Sequence, residues 1–309
     1  MDIGLFQTAS TVLLNLSLSW MVGALFARIW LSGTSSWCGD VVLQLDRSVV
    51  WALTGGGISS LCMIWFEAAA MAEAPLLKAW PAMSTVLAST RYGHVALGGL
   101  AALFGLACVH FVFRKKSRSH LYLALMALLL VVLSLSRAAV SHAGTQGGFG
   151  LAVWIDLMHL LLISLWVGAV MISGWLVLPS VKQFDESEIA DASHFLRSLS
   201  LYATVAIAGI VATGLYNALR AIGSPANLLG QPYGNILAMK VFLVLVAAGL
   251  GGFNRFIGLP AFLDVGAARL PPSQALSRIV LVLRVESMIL LSVVMAATVL
   301  AGTVPPSPS

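Results

Sequence analysis

Three side chains capable of chemistry, Asp156, His159 and Trp166, lie within one long apolar stretch of this chain. At 3.6 residues per turn, their spacing places them on one face of a helix. A carboxylate three residues before an imidazole can orient the ring and fix its tautomer, which leaves the other ring nitrogen free to bind a metal ion. The structural alternative is an acid at a helix N-terminus beside a histidine that is hydrogen-bonded inside the protein.

Three further ionisable residues, Glu67, Lys240 and Glu286, interrupt other apolar stretches. A charge inside a bilayer costs roughly 2.5–3.5 kcal/mol on insertion scales, so such residues are functional candidates. An ammonium group cannot coordinate a metal ion, and we therefore expect Lys240 to be a structural or gating charge that pairs with Asp156. For Glu286 the structural interpretation is pairing with Arg284, two residues before it.

Soft ligands accompany these charges. Met63, Glu67 and Met71 recur at positions i, i+4 and i+8 of the second apolar stretch. Several methionines and histidines are expected at the same membrane face as His159, namely Met71, Met83, Met158, His94 and His142. Thioether sulfur and imidazole suit copper, Cu(I) especially. A single methionine in an apolar chain is usually a core residue, so it is the grouping that indicates copper.

The composition is that of a membrane protein. Of the 309 residues, 59% are hydrophobic and 9% are charged, whereas soluble domains have about 25% charged residues. Stretches of about 20 apolar residues cross a bilayer as helices. Eight are predicted, near 6–31, 48–70, 85–113, 120–140, 152–178, 197–220, 234–257 and 282–303. No gap between them could hold a soluble domain, so the sequence predicts an all-α bundle of eight transmembrane helices as one integral membrane domain over residues 1–309.

The basic residues indicate how this bundle is oriented. If the N-terminus is outside the cytoplasm, most of the 17 Lys and Arg residues fall on the cytoplasmic loops. Cytoplasmic loops of membrane proteins carry such an excess, so both termini are predicted to lie outside. The same excess accounts for the pI of about 9.4, and we expect no nucleic-acid partner.

The two halves of the sequence resemble each other weakly. Ser19–Ala24 in the first stretch is similar to Ser164–Ala169 in the fifth, and Tyr92-Gly93 is similar to Tyr233-Gly234 at nearly the same offset. Four helices per half would give both halves the same orientation, which predicts a 4+4 parallel repeat with a site between the halves. Chance similarity between short apolar segments is the alternative.

The order and spacing of several short motifs carry a family resemblance. The motifs are Ser141-His142-Ala143, Asp156 and His159 followed by Trp166-Val167-Gly168, Thr213-Gly214, Tyr233-Gly234 with Lys240, Asn254-Arg255, Leu283-Arg284 with Glu286, and Thr303-Val304-Pro305-Pro306. Together they resemble the CopD/PcoD family of bacterial copper-resistance membrane proteins, most strongly over residues 141–306. One departure is Gly168-Ala169, where relatives are expected to have two glycines, but alanine is still small enough for close helix packing.

The resemblance implies a copper-resistance protein of the bacterial inner membrane, with periplasmic termini, that moves copper ions from periplasm to cytoplasm. It implies a small periplasmic copper carrier of the CopC type as the partner, beside the lipid bilayer. Carried over to this chain, His142, Asp156 and His159 would handle the copper ion. The oxidation state of the copper and the coupling ion stay open.

Other functions stay open as well. The chain contains no Walker A motif and no GxGxxG before a strand, so neither ATP-driven pumping nor an enzymatic activity is expected of it. A b-type haem electron carrier is one alternative, because His94 and His159 on different helices could ligate a haem iron. A copper-binding or docking membrane protein that does not transport is the other.

Overall fold

The computed structural model describes residues 3–31, 38–116, 119–141, 150–222, 231–263 and 271–303. Eight helices in these ranges are long and apolar enough to cross a membrane. They are α1 (Ile3–Trp30), α2 (Cys38–Met71), α4 (Arg91–Phe113), α5 (His120–Ala139), α6 (Leu151–Ile172), α7 (Glu186–Ile222), α8 (Pro232–Phe253) and α10 (Pro272–Ala301), with the short helices α3 (Trp80–Ser89) and α9 (Leu259–Leu263). No β-strand occurs in the described ranges. The predicted all-α bundle of eight membrane helices is confirmed.

Three helices begin well before the apolar stretches predicted near 48, 197 and 282. They begin at Cys38, Glu186 and Pro272. Hydropathy detects only the part of a helix that fits the hydrocarbon core, whereas the first turns here carry polar residues. At the start of α7, the carboxylate of Asp185 accepts a hydrogen bond from the backbone N–H of Glu188 at 2.7 Å. This bond holds the pKa of Asp185 below its ordinary value and supports the helix start.

The third apolar stretch forms two helices, where one span over 85–113 was expected. The chain is extended at Thr90, with φ −112° and ψ 148°, and the threonine hydroxyl accepts a hydrogen bond from the N–H of Gly93 at 2.9 Å. A Cβ atom on Gly93 would lie 2.1 Å from the carbonyl oxygen of Val86. Only glycine therefore allows α4 to start this close to α3.

One continuous apolar core joins the eight long helices. The rings of Phe26, Trp30, Phe195 and Tyr202 pack together within it, with centroids 5.4 to 5.9 Å apart. Helices α7 and α8 bury few residues of their most apolar segments, 17% and 11% respectively, as helices that face lipid do. The core thus lies around α1, which packs against both α2 and α6.

The backbones of α1 and α6 touch where two glycines meet. A Cβ atom on Gly168 would lie 1.8 Å from the carbonyl oxygen of Ser19, and one on Gly23 would lie 2.2 Å from the carbonyl carbon of Gly168. These glycines occupy equivalent positions in the similar segments Ser19–Ala24 and Ser164–Ala169. Equivalent positions meet in this way when two halves are related by an axis along the membrane normal. The duplication itself stays a prediction.

Four polar side chains that the sequence analysis missed form a buried cluster in the first half. Arg28 of α1 and Asp46 of α2 make an ion pair with 2.6 Å between Nη2 and Oδ1. Beside them, Nδ1 of His110 in α4 lies 3.2 Å from the hydroxyl of Tyr122 in α5. All four residues are almost fully buried. The cluster ties together the ends of the first four long helices.

We expect Asp46→Ala to destabilise the protein by about 3–5 kcal/mol, because it leaves the buried Arg28 without a counter-charge. The measurement is thermal unfolding in detergent. Asp40→Ala is the matched control, since Asp40 is exposed in the first turn of the same helix. Replacing both partners, with Arg28→Met and Asp46→Leu, should recover much of the loss. Equal melting temperatures for the Asp46 and Asp40 variants would contradict this role.

Candidate functional site

A cavity of about 220 Å³, lined by both polar and apolar side chains, lies at the end of the bundle where α1 begins and α10 ends. We call it the His159 cavity. Its polar lining comes from five helices and one connecting residue: Thr11, Asn15, Arg137, Ser141, Asp156, His159, Lys240 and Thr298. A water molecule occupies about 30 Å³ in the liquid, so the cavity can hold several waters or a partly hydrated ion.

The imidazole of His159 is held by a threonine on the neighbouring helix. Its Nδ1 lies 2.8 Å from the hydroxyl oxygen of Thr213 in α7. That hydroxyl donates to the carbonyl oxygen of Gly209 at 2.6 Å, so its oxygen accepts the proton carried by Nδ1. The other ring nitrogen, Nε2, then has a free lone pair, which is the form of histidine that binds a metal ion. A Cβ atom on Gly214 would lie 3.2 Å from Cε1 of the ring, so glycine leaves space for it.

Asp156 lines the same cavity but does not hold the ring. Its two carboxylate oxygens accept hydrogen bonds from the hydroxyl of Ser141 at 2.6 Å and from the amide of Asn217 at 2.8 Å. These two described residues, Asp156 and His159, make no hydrogen bond with each other, which corrects the orientation expected from their spacing. The reason is that α7 packs along α6, and its polar side chains reach both residues.

Lys240 also lines this cavity, but its contact with Asp156 is not the ion pair that was expected. The ammonium group lines the His159 cavity and interacts electrostatically with Asp156 and His159. The nitrogen of Lys240 is more than 4.0 Å from either carboxylate oxygen of Asp156, so the expected ion pair is not formed. Within the described ranges, only Arg28 and Asp46 come that close. Both oxygens of Asp156 are already hydrogen-bonded, and the lysine is left as a nearby charge.

One methionine sulfur lies against the wall of this cavity. The Sδ atom of Met63 in α2 is 3.7 Å from Nη1 of Arg137 and 3.8 Å from the hydroxyl oxygen of Thr11. Arg137 and Thr11 both line the His159 cavity. Of the three residues Met63, Glu67 and Met71 that recur along α2, Met63 is therefore the one beside the cavity.

The other candidate sulfur ligands lie elsewhere. Met71 and Met158 each expose 49% of their surface, and Met83 lies half-buried in α3. Met158 immediately precedes His159 in α6 and therefore points to another face of the helix. None of these three lines the His159 cavity.

The remaining candidates also lack a common centre. His94 is exposed, and its Nε2 lies 3.0 Å from the carbonyl oxygen of Ala88. Glu67 accepts a hydrogen bond from the side chain of Gln7 at 3.2 Å. His142 lies outside the described residues. Within the described part of the chain, no group of three His, Cys, Asp or Glu side chains is placed to hold a metal ion.

A second cavity, of about 350 Å³, lies towards the other end of the bundle. We call it the Glu286 cavity. Glu286 was expected to pair with Arg284, but its Oε1 accepts a hydrogen bond from the indole N–H of Trp166 at 3.0 Å. Arg284 turns away, donating to the carbonyl oxygen of Gly174 at 3.0 Å and lying 4.8 Å from the ring centre of Trp175. Helix α6 thus carries His159 at one cavity and Trp166 at the other.

Comparisons with known proteins match this chain to copper-resistance and copper-transport proteins. The family model "Copper resistance protein D-like, N-terminal domain" matches residues 2–153, and "Copper resistance protein D" matches residues 193–300. A curated relative, Copper transport protein CutJ of Bacillus subtilis (strain 168), is 24% identical over 251 residues, which cover 80% of this chain and 45% of that protein. The chain thus spans less than half the length of this relative. No solved structure matches the chain.

The matched segments lie on both sides of the His159 cavity. Thr11 and Arg137 belong to the first segment, Lys240 belongs to the second, and His159 lies between the two. The second segment falls within residues 141–306, where the motifs are similar, and the first adds a match over a half with few motifs. The two models follow one another along the chain in the order N-terminal domain, then CopD. The chain belongs to the CopD family of copper-resistance membrane proteins.

Proposed function

We propose that this protein is a copper permease that carries copper ions across the bacterial inner membrane from periplasm to cytoplasm, without hydrolysing ATP itself. The observation that carries the proposal is the state of His159: an imidazole whose Nδ1 is bound by Thr213 and whose Nε2 is free, in a cavity of the helix bundle that several polar side chains line. Imidazole binds copper well in either oxidation state. Membership of a copper-resistance family supports copper as the transported ion.

The charges in the His159 cavity favour a gate. Arg137 and Lys240 are positive and Asp156 is negative, so a copper ion that enters meets like charge unless Lys240 moves. Like charges at close range in a low-dielectric site repel strongly. We propose that Lys240 interacts with Asp156 when the cavity is empty and withdraws when copper binds, with the sulfur of Met63 behind the wall as a soft neighbour.

The proposed direction rests on the family resemblance and on the outer position of the His159 cavity, which the basic residues support. Loops at the end of the bundle opposite the termini carry the excess of Lys and Arg, which supports a cytoplasmic position for that end. The His159 cavity then faces the periplasm, where a copper carrier of the CopC type would deliver its ion, with His142 as the proposed first ligand. The Glu286 cavity faces the cytoplasm.

Copper uptake by proteoliposomes tests the proposal. Vesicles with the purified protein should accumulate copper faster than protein-free vesicles, in assays run separately with Cu(I) and Cu(II). Copper that binds to the protein without entering the vesicles would support the non-transporting alternative. A Soret band with stoichiometric haem in the visible spectrum would support the electron carrier, although His94 does not line the cavity that holds His159.

A further inference from the structure

Glu286 is a buried acid whose second oxygen is unused. The residue is 1% exposed. Oε1 accepts the hydrogen bond from Trp166, whereas Oε2 has no hydrogen-bond partner among the described residues. An ionised carboxylate in such a place needs a counter-charge or more hydrogen bonds to offset its lost hydration. The other two buried acids of the described ranges have such partners: Asp46 pairs with Arg28, and Glu188 accepts three backbone N–H bonds.

The neighbouring cations are bound elsewhere. Arg255 is the other titratable residue that lines the Glu286 cavity, and its Nη1 donates to the backbone oxygen of Ser200 at 3.1 Å and to the hydroxyl of Thr204. Arg284, which is in α10 like Glu286, donates to the carbonyl oxygen of Gly174. On the helices packed around α10, Arg28 of α1 pairs with Asp46. The charged residues and the histidine of α6 and α8 line the His159 cavity instead, namely Asp156, His159 and Lys240. On α7, which also lines the Glu286 cavity, His194 and Arg197 are exposed. No described cation is placed to neutralise Glu286.

The surroundings leave room for the carboxyl group and for water. Gly251 of α8 faces it, and a Cβ atom there would lie 3.3 Å from Oε1. Asn254, also on the cavity, has a buried side-chain oxygen without a partner among the described residues. Both helices that flank the site pass into π-helical turns, at Ser173–Val177 and Asn254–Gly258, and such turns occur frequently at functional sites. A cavity of about 350 Å³ has space for several waters beside these two oxygens.

We propose that Glu286 is a proton-binding site that exchanges its proton with water in the Glu286 cavity. The geometry fits the neutral acid: Oε1 accepts from Trp166 while Oε2 carries the proton and can donate it to water. The proposal rests on the proposed function for its second part, in which the proton is the coupling ion. Protonation and release at Glu286 would then accompany the movement of copper through the bundle.

Infrared spectroscopy tests the proton site without any transport. Protein in lipid, titrated with pH, should show a protonated carboxyl band that converts to a carboxylate band and is absent in Glu286→Gln. Glu186→Gln is the matched control, because Glu186 is exposed near the same end of the bundle. Trp166→Phe should move the band to higher frequency, since the carbonyl loses its hydrogen bond. A carboxylate at every pH, or an acid that never titrates, would overturn the proposal.

Transport with imposed gradients tests the coupling. In proteoliposomes, a pH gradient should change the rate of copper uptake by the wild-type protein and by Glu186→Gln. Glu286→Gln should show the rate measured without a gradient. Wild-type uptake that ignores a pH gradient, or that follows a sodium gradient instead, would overturn proton coupling and leave the permease intact. If no variant takes up copper, the proposed function fails, and the infrared titration alone decides whether Glu286 binds a proton.

Discussion

His159→Ala should abolish copper uptake by proteoliposomes and leave the bundle folded. The substitution removes the one imidazole that lines the His159 cavity in the described ranges, and the other lining residues there supply neither an imidazole nor a thioether. The side chain is half-buried and contacts the hydroxyl of Thr213, so its loss leaves a small cavity and a hydroxyl that still donates to Gly209. We therefore expect a monodisperse protein with a similar melting temperature and no uptake above the protein-free level.

Matched variants separate the ligand from its support. Thr213→Val keeps the shape of the side chain but removes the oxygen that binds Nδ1, and it should weaken copper binding by roughly 10–100-fold, as loss of such a supporting contact typically does. His194→Ala removes an exposed histidine of α7 and should leave uptake unchanged. Normal uptake by folded His159→Ala would remove this residue from the mechanism.

Gly168→Ala should destabilise the protein by more than the roughly 1–3 kcal/mol that overpacking usually costs. The added methyl group would lie 1.8 Å from the backbone oxygen of Ser19. A flexible side chain could move aside, but a helix backbone cannot, so α1 and α6 must separate along the centre of the core. We expect a poor yield of monodisperse protein and a strongly lowered melting temperature in detergent.

Gly249→Ala is the control for this effect, because a Cβ atom there meets nothing within 4 Å. Within a helix, alanine is favoured over glycine by roughly 0.5–1 kcal/mol, so this change should be neutral or stabilising. The two variants carry the same added methyl group in two transmembrane helices and should differ in sign. Equal melting temperatures for the two variants would contradict this backbone contact of α1 with α6.

Much of the fold could be predicted because membrane helices are recognisable in a sequence by their length and hydropathy. The break between α3 and α4 at Thr90 could not be predicted, since an apolar stretch continues across it and the helix cap depends on a single hydroxyl. Helical periodicity placed Asp156, His159 and Trp166 on one face, but it could not show that Trp166 reaches a different cavity from His159.

The candidate site shows the same limit. Sequence indicates how deep a residue lies in the membrane, whereas its direction around the helix depends on packing. His94, Met71 and Met158 were expected near one membrane face with His159, yet they do not line its cavity. A usable signal was Thr213 with Asn217, two polar residues four apart in the apolar stretch of α7.

Thr213 and Asn217 lie on successive turns of α7, and they bind His159 and Asp156 on successive turns of α6. Two hydrogen bonds, one turn apart, thereby join the two helices. If α7 slides or rotates as a rigid body, both hydrogen bonds change together. A shift of α7 therefore changes the positions of the free imidazole nitrogen and of the neighbouring acid together. The two side chains are either both held by α7 or both free to reorient.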